Sequence, residues 1–389
     1  MRLATILALA AIASALPVLG GEAPRRKVLI ISLDGCRPDA LQVASTPNVD
    51  SLIAGGAYSY LAQTGPVPIS GPAYSSMFTG VWNEKHGVWD NEFTGSRFDL
   101  YPIFFCRLKA WRPEIVTQSV ARWEPLDLNL IRCADEHLVP SSDARATAEA
   151  VRLLSQTDPD VLFYHLEDID GAGHTYTFSP TAAGYLAAIE ASDARVGEVL
   201  QALRGRPTYP QEDWLIITIS DHGGSAKDHH ADTPENRTIF MIASGSHAAR
   251  GEIQPPPVIV DVAVTAMAYL GLDADPSWGL DGKVIGLAAE PGSSLQLPSD
   301  CNQDGNLAVS DVICLLGILF KGEFPVLPCG GGTLEGGNVA LLDSNGDLDV
   351  DVSDAIYVLL HLFAGGPPPT LGTSCVPLDG CPGVCASSP

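Results

Sequence analysis

The stretch DWLIITISDHGG, residues 213–224, decides the fold. It is a continuous run of apolar and β-branched side chains that ends in an Asp, a His and two glycines. The stretches KVLIISLDG (27–35) and DVLFYHLEDID (160–170) have the same form. Continuous apolar runs of this kind are typical of strands that are buried on both faces of a parallel sheet.

Helical patterns lie between these predicted strands. Residues 145–155 and 181–203 carry apolar side chains at spacings of three and four. The alternation of strand and helix predicts an α/β fold with a central, largely parallel sheet flanked by helices. Ligands of such sheets bind at the carboxyl ends of the strands, and all three runs end in acidic residues.

The composition limits the classes of partner. The 389 residues include 46 acidic and only 22 basic side chains, which gives a formal net charge of −24. Such a surface repels phosphate backbones, so we do not expect a nucleic-acid polymer as partner. Small anionic substrates remain compatible with this charge when bound metal ions neutralise them.

The first 23 residues have the form of a signal peptide: one Arg, an apolar run, and then small residues. This predicts a secreted, periplasmic or cell-surface protein. A membrane anchor is the alternative, which Pro17 and the glycines 20 and 21 disfavour. No later segment is apolar enough to form a transmembrane span. Nine cysteines fit an exported protein with disulfides; Cys106 and Cys133 could pair, and Cys36 is expected to be a free buried thiol.

The composition changes near residue 288 and divides the chain. We predict a catalytic domain over 24–287 and a linker rich in Gly, Ser and Pro over 288–299. A repeat pair over 300–366 and a Cys-rich tail over 367–389 complete the chain.

The repeat pair has the pattern of two calcium loops. DCNQDGNLAVSDVICLLGILFKG begins at residue 300, and DSNGDLDVDVSDAIYVLLHLFAG begins 43 residues later. Calcium loops of the EF-hand type need oxygen ligands at positions 1, 3 and 5 and a carboxylate at position 12. Position 6 is Gly305 in the first loop but Leu348 in the second, which strains the usual turn. The predicted calcium ligands are Asp300, Asn302, Asp304 and Asp311 in the first loop, and Asp343, Asn345, Asp347 and Asp354 in the second.

Metal-binding side chains follow the three predicted strands. They are Asp34; Asp170 and His174; Asp221 and His222, with His229 or His230 further along. Carboxylates and imidazoles drawn from several strands suit a pair of divalent metals, with zinc preferred. Two metals about 4 Å apart stabilise both the attacking and the leaving oxygen of a phosphoryl transfer.

Residues 64–88 supply a candidate nucleophile. Ser70 follows a strand-like stretch PVPI and precedes a helix-like stretch. A serine at a helix N-terminus lies close to free backbone N–H groups, which favour a bound phosphate. Coordination of its hydroxyl to a metal would activate it for attack.

Together, these motifs resemble the alkaline phosphatase superfamily, and within it the type I phosphodiesterase/nucleotide pyrophosphatase family. The resemblance covers about residues 26–290 and rests on Asp-Gly-x-Arg-Pro-Asp, Ser-x-Pro before Thr-Gly, Asp-x-x-x-His and Asp-His-Gly, in that order. It implies hydrolysis of phosphodiester or nucleotide pyrophosphate bonds through a covalent phospho-serine. It also implies two metal sites. Asp34, Asp221 and His222 would hold one metal, with Ser70 as the nucleophile bridging toward it; Asp170, His174 and His229 would hold the other.

The resemblance also favours His229 over His230, because related sequences with Asp-His-Gly-Gly tend to place a His eight residues after the Asp. The chain departs from the family at Ser70-Gly71-Pro72-Ala73, where the eukaryotic branch has Thr-Phe-Pro-Asn. The Asn that helps to hold a phosphate oxygen is therefore absent.

Two alternative functions remain open at this point. The first is a phosphomonoesterase or sulfatase of the same superfamily. No Arg follows Ser70 to hold an extra phosphate charge, which favours diesters, and the Cys36 stretch CRPDA has Ala40 where the sulfatase motif needs Arg. The second is a calcium-dependent surface or adhesion protein with a vestigial enzyme fold, which the intact ligand set disfavours.

The repeat pair resembles the dockerin type I repeat, in which a short Asp at position 12 is followed at once by a helix. This resemblance implies a calcium-binding module with a cohesin-like or cell-surface partner. Four further histidines are interpreted as surface or structural residues: His86, His137, His165 and His247.

Overall fold

The computed structural model describes residues 24–288, 295–321, 329, 337–378, 381 and 384–385. The predicted signal peptide and residues 289–294 of the predicted linker lie outside the described residues, as do parts of the C-terminal tail. Among the described helices, none has both the length and the apolar character needed to cross a membrane.

The described residues form ten strands, two short 3₁₀ turns and fourteen α-helices. The strands are β1 (Arg25–Leu33), β2 (Gly56–Gln63), β3 (Thr117–Val120), β4 (Glu136–Leu138), β5 (Val161–Leu166), β6 (Glu212–Ile219), β7 (Thr238–Ser244), β8 (Gly251–Glu252), β9 (Leu295–Gln296) and β10 (Val376–Pro377). The 3₁₀ turns are Tyr209–Gln211 and Pro276–Trp278. The helices are α1 (Pro38–Leu41), α2 (Pro47–Ala54), α3 (Ser70–Thr79), α4 (Asn83–His86), α5 (Phe104–Trp111), α6 (Glu124–Leu130), α7 (Asp143–Gln156), α8 (Asp168–Tyr176), α9 (Ala183–Arg204), α10 (Pro234–Arg237), α11 (Asp261–Tyr269), α12 (Val309–Lys321), α13 (Gly337–Leu342) and α14 (Val352–Ala364).

The main sheet has eight strands in the order β4-β3-β5-β1-β6-β7-β2-β8. Strand β1 pairs in parallel with β5 on one side and with β6 on the other. The three strands predicted from their apolar runs are therefore adjacent, and their carboxyl ends meet at one edge. Strand β7 runs antiparallel to both β6 and β2, an exception that the apolar pattern did not predict.

Helices pack on both faces of this sheet, which confirms the predicted mixed α/β architecture. Alternate residues of β1 enter two different cores: Val28 and Ile30 enter the first, and Leu29 and Ile31 enter the second. The first core also takes in residues of α3, α5 and α11, and the second takes in residues of α7 and α9. Because helices cover both faces of β1, its central residues 28–31 are all apolar.

The strand-like reading of PVPI, residues 66–69, is wrong. Strand β2 ends at Gln63, and the four residues form an irregular connection to α3. Pro66 and Pro68 have no backbone N–H to donate to a strand ladder, which explains the difference. Ser70 does begin a helix, as its position before an apolar helical pattern predicted.

The C-terminal repeats have a small core of their own. Helices α12 and α14 contribute Val312, Leu315, Ile318 and Val358 to it. Three disulfides lie in this part of the chain: Cys301–Cys314, Cys329–Cys381 and Cys375–Cys385. A small core needs such covalent links, because few apolar side chains are available to stabilise it.

The cysteines of the larger domain agree with expectation. Cys106 and Cys133 form a disulfide, and Cys36 is a buried free thiol. Burial raises the pKa of Cys36, with the nearby Asp39 carboxylate adding to the shift. The Cys36 thiol is therefore protonated and shielded from solvent.

We expect the native protein to show no reaction with a chromogenic disulfide reagent, because the thiolate is the reactive form and Cys36 is buried. In guanidinium chloride without reductant, one thiol per chain should react, since the other cysteines are in four disulfides. Two or more reactive thiols per unfolded chain would contradict this disulfide pattern.

Candidate metal centre

The carboxyl ends of β1, β5 and β6 deliver most of the candidate ligands. Asp34 directly follows β1, and Asp221 and His222 follow β6 after one intervening residue, Ser220. Asp170 and His174 lie one turn apart on α8, the helix that follows β5, so they share one face of that helix. His229 lies in the loop after β6.

These side chains form two groups that share His222. In the first group, ligand atoms of Asp34, Asp221 and His222 all lie within 4.8 Å of one another; in the second, those of Asp170, His222 and His229 do so. His174 belongs to neither group by this measure, but its Nε2 lies 3.4 Å from Asp170 Oδ2. Its side chain is 40% exposed, at the rim of the cluster.

The cluster contains buried polar atoms that have no hydrogen-bond partner among the described residues. These atoms are Asp34 Oδ1, Asp170 Oδ1, Asp221 Oδ2 and His222 Nε2. A buried polar atom without a hydrogen-bond partner lowers the stability of the fold. A bound ion would explain why four such atoms lie together here. All four are metal-ligand atoms, so the arrangement fits divalent metals.

The backbone fixes the tautomers of the three histidines. The Nδ1 atoms of His174, His222 and His229 donate to the carbonyl oxygens of Lys227, Gly223 and Pro68, at 2.9, 2.8 and 2.9 Å. Each Nε2 therefore carries a lone pair and can coordinate a metal. Burial, and then the neighbouring His222, lower the pKa of His229 to about 2, which keeps this imidazole neutral.

The carboxylates repel one another at this site. Burial first, and then the Asp221 and Asp170 carboxylates, raise the pKa of Asp34 well above its usual range. The pKa of Asp221 is also raised, mainly by burial. Divalent cations would relieve both penalties, because they supply the missing opposite charge.

The approach of β1 to α8 requires a glycine at position 35. Gly35 has a φ of +64°, and a Cβ on it would lie 2.9 Å from Asp170 Oδ1. Its backbone N–H donates to Asp221 Oδ1 at 3.1 Å. Gly35 thus allows the ligands that follow β1, β5 and β6 to come together.

Ser70 lies beside the cluster, because its neighbours on both sides contact candidate ligands. Pro68, two residues before it, accepts the hydrogen bond from His229. Tyr74, one turn after it on α3, donates to Asp34 Oδ2 at 3.2 Å. The half-buried Ser70 therefore begins α3 between two contacts to the metal centre.

His165 and Tyr74 are residues that support the site and that sequence reasoning missed. His165 was interpreted as surface or structural, but it is fully buried and its Nε2 donates to Asp34 Oδ2 at 2.9 Å. The N–H of Arg122 donates to His165 Nδ1 at 3.1 Å, which fixes this tautomer. Burial lowers the pKa of His165 to about 3, with Arg122 adding to the shift, so the ring is neutral. Only its place in the apolar run of β5 hinted that it is buried.

Four further histidines have hydrogen-bond or ion-pair partners outside the set of candidate ligands, although the His230 ring stacks on His229. His86 is buried and bonds to Ser76 Oγ at 3.0 Å. His137 contacts Asp127, and His247 contacts Asp213. The exposed His230 pairs with Asp228 instead of pointing into the cluster.

Comparisons with known proteins match two family models to the larger domain. Residues 28–144 match the family model described as type I phosphodiesterase/nucleotide pyrophosphatase, and residues 135–274 match that of the metalloenzyme superfamily. An uncharacterized pyrophosphatase/phosphodiesterase of Schizosaccharomyces pombe is 26% identical over 58% of this chain and 50% of its own length. The chain thus spans half the length of this curated relative.

Two solved structures share the fold. Murine ectonucleotide pyrophosphatase/phosphodiesterase 5 has a TM-score of 0.54 and 15% identity, over 64% of this chain and 96% of its own. A 2-O GAG sulfatase has a TM-score of 0.55 and 15% identity, over 68% and 73% of the two chains. These two likenesses show the shared fold, while the family models that match are those of a phosphodiesterase/nucleotide pyrophosphatase and of the metalloenzyme superfamily.

Removing the Tyr74 hydroxyl should weaken metal binding. In Tyr74→Phe, Asp34 loses one of its two side-chain hydrogen bonds, and outer hydrogen bonds of this kind commonly change metal affinity by 10-fold or more. We expect about 10-fold weaker binding of zinc to the metal-free protein, measured by competition with a chromogenic chelator.

A matched control is Tyr164→Phe. Tyr164 is also buried and hydrogen-bonded, to Thr147 Oγ1 at 2.7 Å, but it contacts no candidate ligand. Its zinc affinity should equal that of the wild type. Equal losses in the two variants would mean that Tyr74 acts only on stability.

Proposed function

We propose that this chain is an exported hydrolase that cleaves phosphodiester or nucleotide pyrophosphate bonds through a covalent phospho-serine at Ser70. The observation that carries the proposal is the convergence of unpartnered carboxylate and imidazole atoms beside the helix that Ser70 begins. Buried polar atoms without partners lower the stability of a fold, so we would not expect a fold that has lost its activity to retain them in this arrangement.

The proposed chemistry divides between the metals and the chain. Two divalent metals, with zinc favoured by the His and Asp donors, would lower the pKa of the Ser70 hydroxyl and stabilise charge on the attacking and leaving oxygens. Asp34, Asp221 and His222 would hold one metal, and Asp170, His174 and His229 the other. Ser70 Oγ would give its proton to solvent water and bond to phosphorus as the bond to the leaving oxygen breaks, and the leaving oxygen would take up a proton from water. A water molecule would then attack the same phosphorus, break its bond to Ser70 Oγ and restore the Ser70 hydroxyl.

A sulfatase is the second candidate, because a sulfatase shares the fold. Two features of the chain disfavour it. Cys36, the cysteine of the sulfatase-like stretch, is buried in the core with a raised pKa, so it is unsuited to serve as a nucleophile. The nearby Arg122 guanidinium is already paired with Asp143 and Glu167, which leaves it less available for an additional anionic group.

Replacing Ser70 should abolish turnover without removing the metals. We expect Ser70→Ala to lower kcat on a bis-aryl phosphate by about 10⁴-fold or more, since loss of a nucleophile removes the covalent route. Metal content, measured by elemental analysis after dialysis, should match the wild type. A wild-type rate in Ser70→Ala would assign the attack to water.

The same wild-type protein separates the candidate activities. Its kcat/KM should be highest on the bis-aryl phosphate, lower on an aryl phosphate and lowest on an aryl sulfate. A preference for the sulfate would select the sulfatase instead.

We also propose export from the cell. Disulfides persist in oxidising compartments, and the chain has four of them. Their presence in both the larger domain and the repeats supports a secreted, periplasmic or cell-surface location for the whole protein.

We further propose that the repeats bind calcium. In both loops the carboxylate at position 12 accepts the backbone N–H of position 3: Asn302 to Asp311, and Asn345 to Asp354, each at 3.2 Å. Both position-12 aspartates have a raised pKa, mainly because of burial. Calcium would lower this cost, and oxygen ligands in this order are the ones it prefers.

Removal of calcium, with zinc kept in the buffer, should loosen the repeats and spare the larger domain. We expect faster proteolysis within residues 300–363 in the calcium-free buffer than in the same buffer with calcium, because calcium binding stabilises only the folded loops. The variant with Asp311→Asn and Asp354→Asn should lose this protection. Equal cleavage with and without calcium in the wild type would refute calcium binding.

We propose that the module takes a cohesin-like or cell-surface partner. Exposed apolar side chains recur at equivalent positions of α12 and α14: Val309, Ile313 and Phe320, and Val352, Ile356 and Phe363. Phe320 and Phe363 are 71% and 72% exposed. Exposed apolar stripes of this kind favour binding of another protein.

A further inference from the structure

A short segment after α8 is tied to the loop that follows β6. The backbone N–H of Phe178 donates to the carbonyl oxygen of Ala226 at 2.6 Å. One turn earlier, His174 Nδ1 donates to the next carbonyl oxygen, that of Lys227, at 2.9 Å. The same loop carries His229 two residues further along. These hydrogen bonds therefore join the segments that carry His174 and His229.

The ring of Phe178 fills the space between the two segments. This side chain is only 1% exposed. A Cβ on Gly173 would lie 2.3 Å from the Phe178 ring, and a Cβ on Gly224 would lie equally close. Gly173 directly precedes His174, and Gly224 is the second residue after His222. The ring therefore fits only because two positions close to candidate ligands lack a side chain.

Phe178 also contacts two candidate ligands. Its ring centroid lies 5.3 Å from that of His174 and 5.9 Å from that of His229, with the ring planes at 83° and 75°. Edge-to-face contacts of this kind are favourable and depend on the relative orientation of the rings. The hydrogen bond at Nδ1 restrains one atom of each imidazole, and the contact with Phe178 restrains the plane of the ring. Together they determine where Nε2 points.

These restraints matter most for His174. Its side chain is 40% exposed, whereas the side chains of Asp34, Asp221 and His222 are at most 4% exposed. Near-complete burial restrains those three ligands, but an exposed imidazole depends on the few groups that it contacts.

The backbone on both sides of this contact is unfavourable. Thr177 has a φ of +103° and Ala226 a φ of +50°, which residues with a Cβ rarely adopt. Such conformations persist where the surrounding structure fixes them, and they concentrate at functional sites. Here Arg37 Nη1 donates to the carbonyl oxygens of Phe178 and Gly224, at 3.1 and 2.6 Å. The segment is thus held in a conformation that keeps the Phe178 ring against both imidazoles.

We propose that Phe178 is a positioning residue for one of the two metals, the one that Asp170, His174 and His229 would hold, and that it sets the affinity of this group by orienting the two imidazoles. This inference rests on the two-metal site of the proposed function. Among the described residues, Phe178 makes no ring contact with His222, so the metal of Asp34, Asp221 and His222 should not depend on it.

Phe178→Leu should weaken the binding of one zinc ion and leave the other unchanged. Leu is also apolar, but it has no flat ring to orient the imidazoles. We expect one of two zinc equivalents to bind the metal-free protein about 10–100-fold more weakly, the usual effect of losing support around metal ligands. The measurement is competition with a chromogenic chelator, with calcium present to occupy the repeats.

Cadmium-113 NMR of the cadmium-loaded protein supplies a second readout. The wild type should give two resonances from the larger domain. In Phe178→Leu, one should keep its position while the other shifts or broadens, a pattern that a general loss of stability would not produce.

Phe240→Leu is the matched control. Phe240 is fully buried in the same core as Phe178, and among the described residues it makes no ring contact with a candidate ligand. Both zinc ions should bind this variant as they bind the wild type. Phe178→Met is a second test variant, because the flexible Met side chain fills irregular space and should preserve the fold if Leu does not.

The outcomes distinguish this inference from the proposed function. Wild-type affinity for both zinc ions in folded Phe178→Leu or Phe178→Met would refute the positioning role. Equal weakening of both ions, or the same loss in Phe240→Leu, would attribute the effect to stability and also overturn it. Absence of wild-type turnover on every phosphoester would refute the proposed hydrolase, while a selective loss of one zinc ion in Phe178→Leu would still support the role of Phe178.

Discussion

Mutual repulsion among buried carboxylates is the constraint on which the rest of this site depends. Asp34, Asp170 and Asp221 come from different segments, yet the sheet brings them to one edge. Among the residues that the structure describes, no Lys or Arg forms an ion pair with Asp34 or Asp221; their ion pairs are with histidines. Placing like charges in a buried position destabilises the fold unless protons or cations bind. Metal binding is therefore coupled to the stability of this edge of the sheet.

The hydrogen bonds of four histidines determine which of their ring nitrogens could bind a cation. Backbone carbonyl groups hold the Nδ1 atoms of His174, His222 and His229, and a backbone N–H holds the Nδ1 of His165. A carbonyl group at Nδ1 leaves Nε2 with a lone pair that can coordinate a metal. An N–H group at Nδ1, as in His165, leaves the hydrogen on Nε2, which donates to Asp34. The same residue type thus has two roles, and the choice between them depends on which backbone group faces Nδ1.

Much of the fold could be predicted from the sequence because the parallel strands β1, β5 and β6 each contain a continuous, largely apolar run. The same runs located Asp34, Asp170 and Asp221, since they end where the strands end. His165 and Tyr74 could not be found this way, because their contacts with Asp34 join β5 and α3 to β1. The antiparallel direction of β7 likewise depends on its connection to β6, and an apolar run carries no information on strand direction.

The two calcium-type loops show that side-chain hydrogen bonds can impose a backbone conformation on an unfavourable residue. Gly305 and Leu348 occupy the sixth position and have nearly the same φ, +79° and +72°. In each loop the first aspartate accepts the N–H of that residue, from Gly305 to Asp300 at 2.8 Å and from Leu348 to Asp343 at 2.9 Å. A left-handed conformation costs a non-glycine residue about 1–2 kcal/mol. In the second loop Leu348 adopts this conformation despite the cost, and the first aspartate keeps its hydrogen bond. The spacing of the aspartates therefore determines the shape of the loop more than the glycine does.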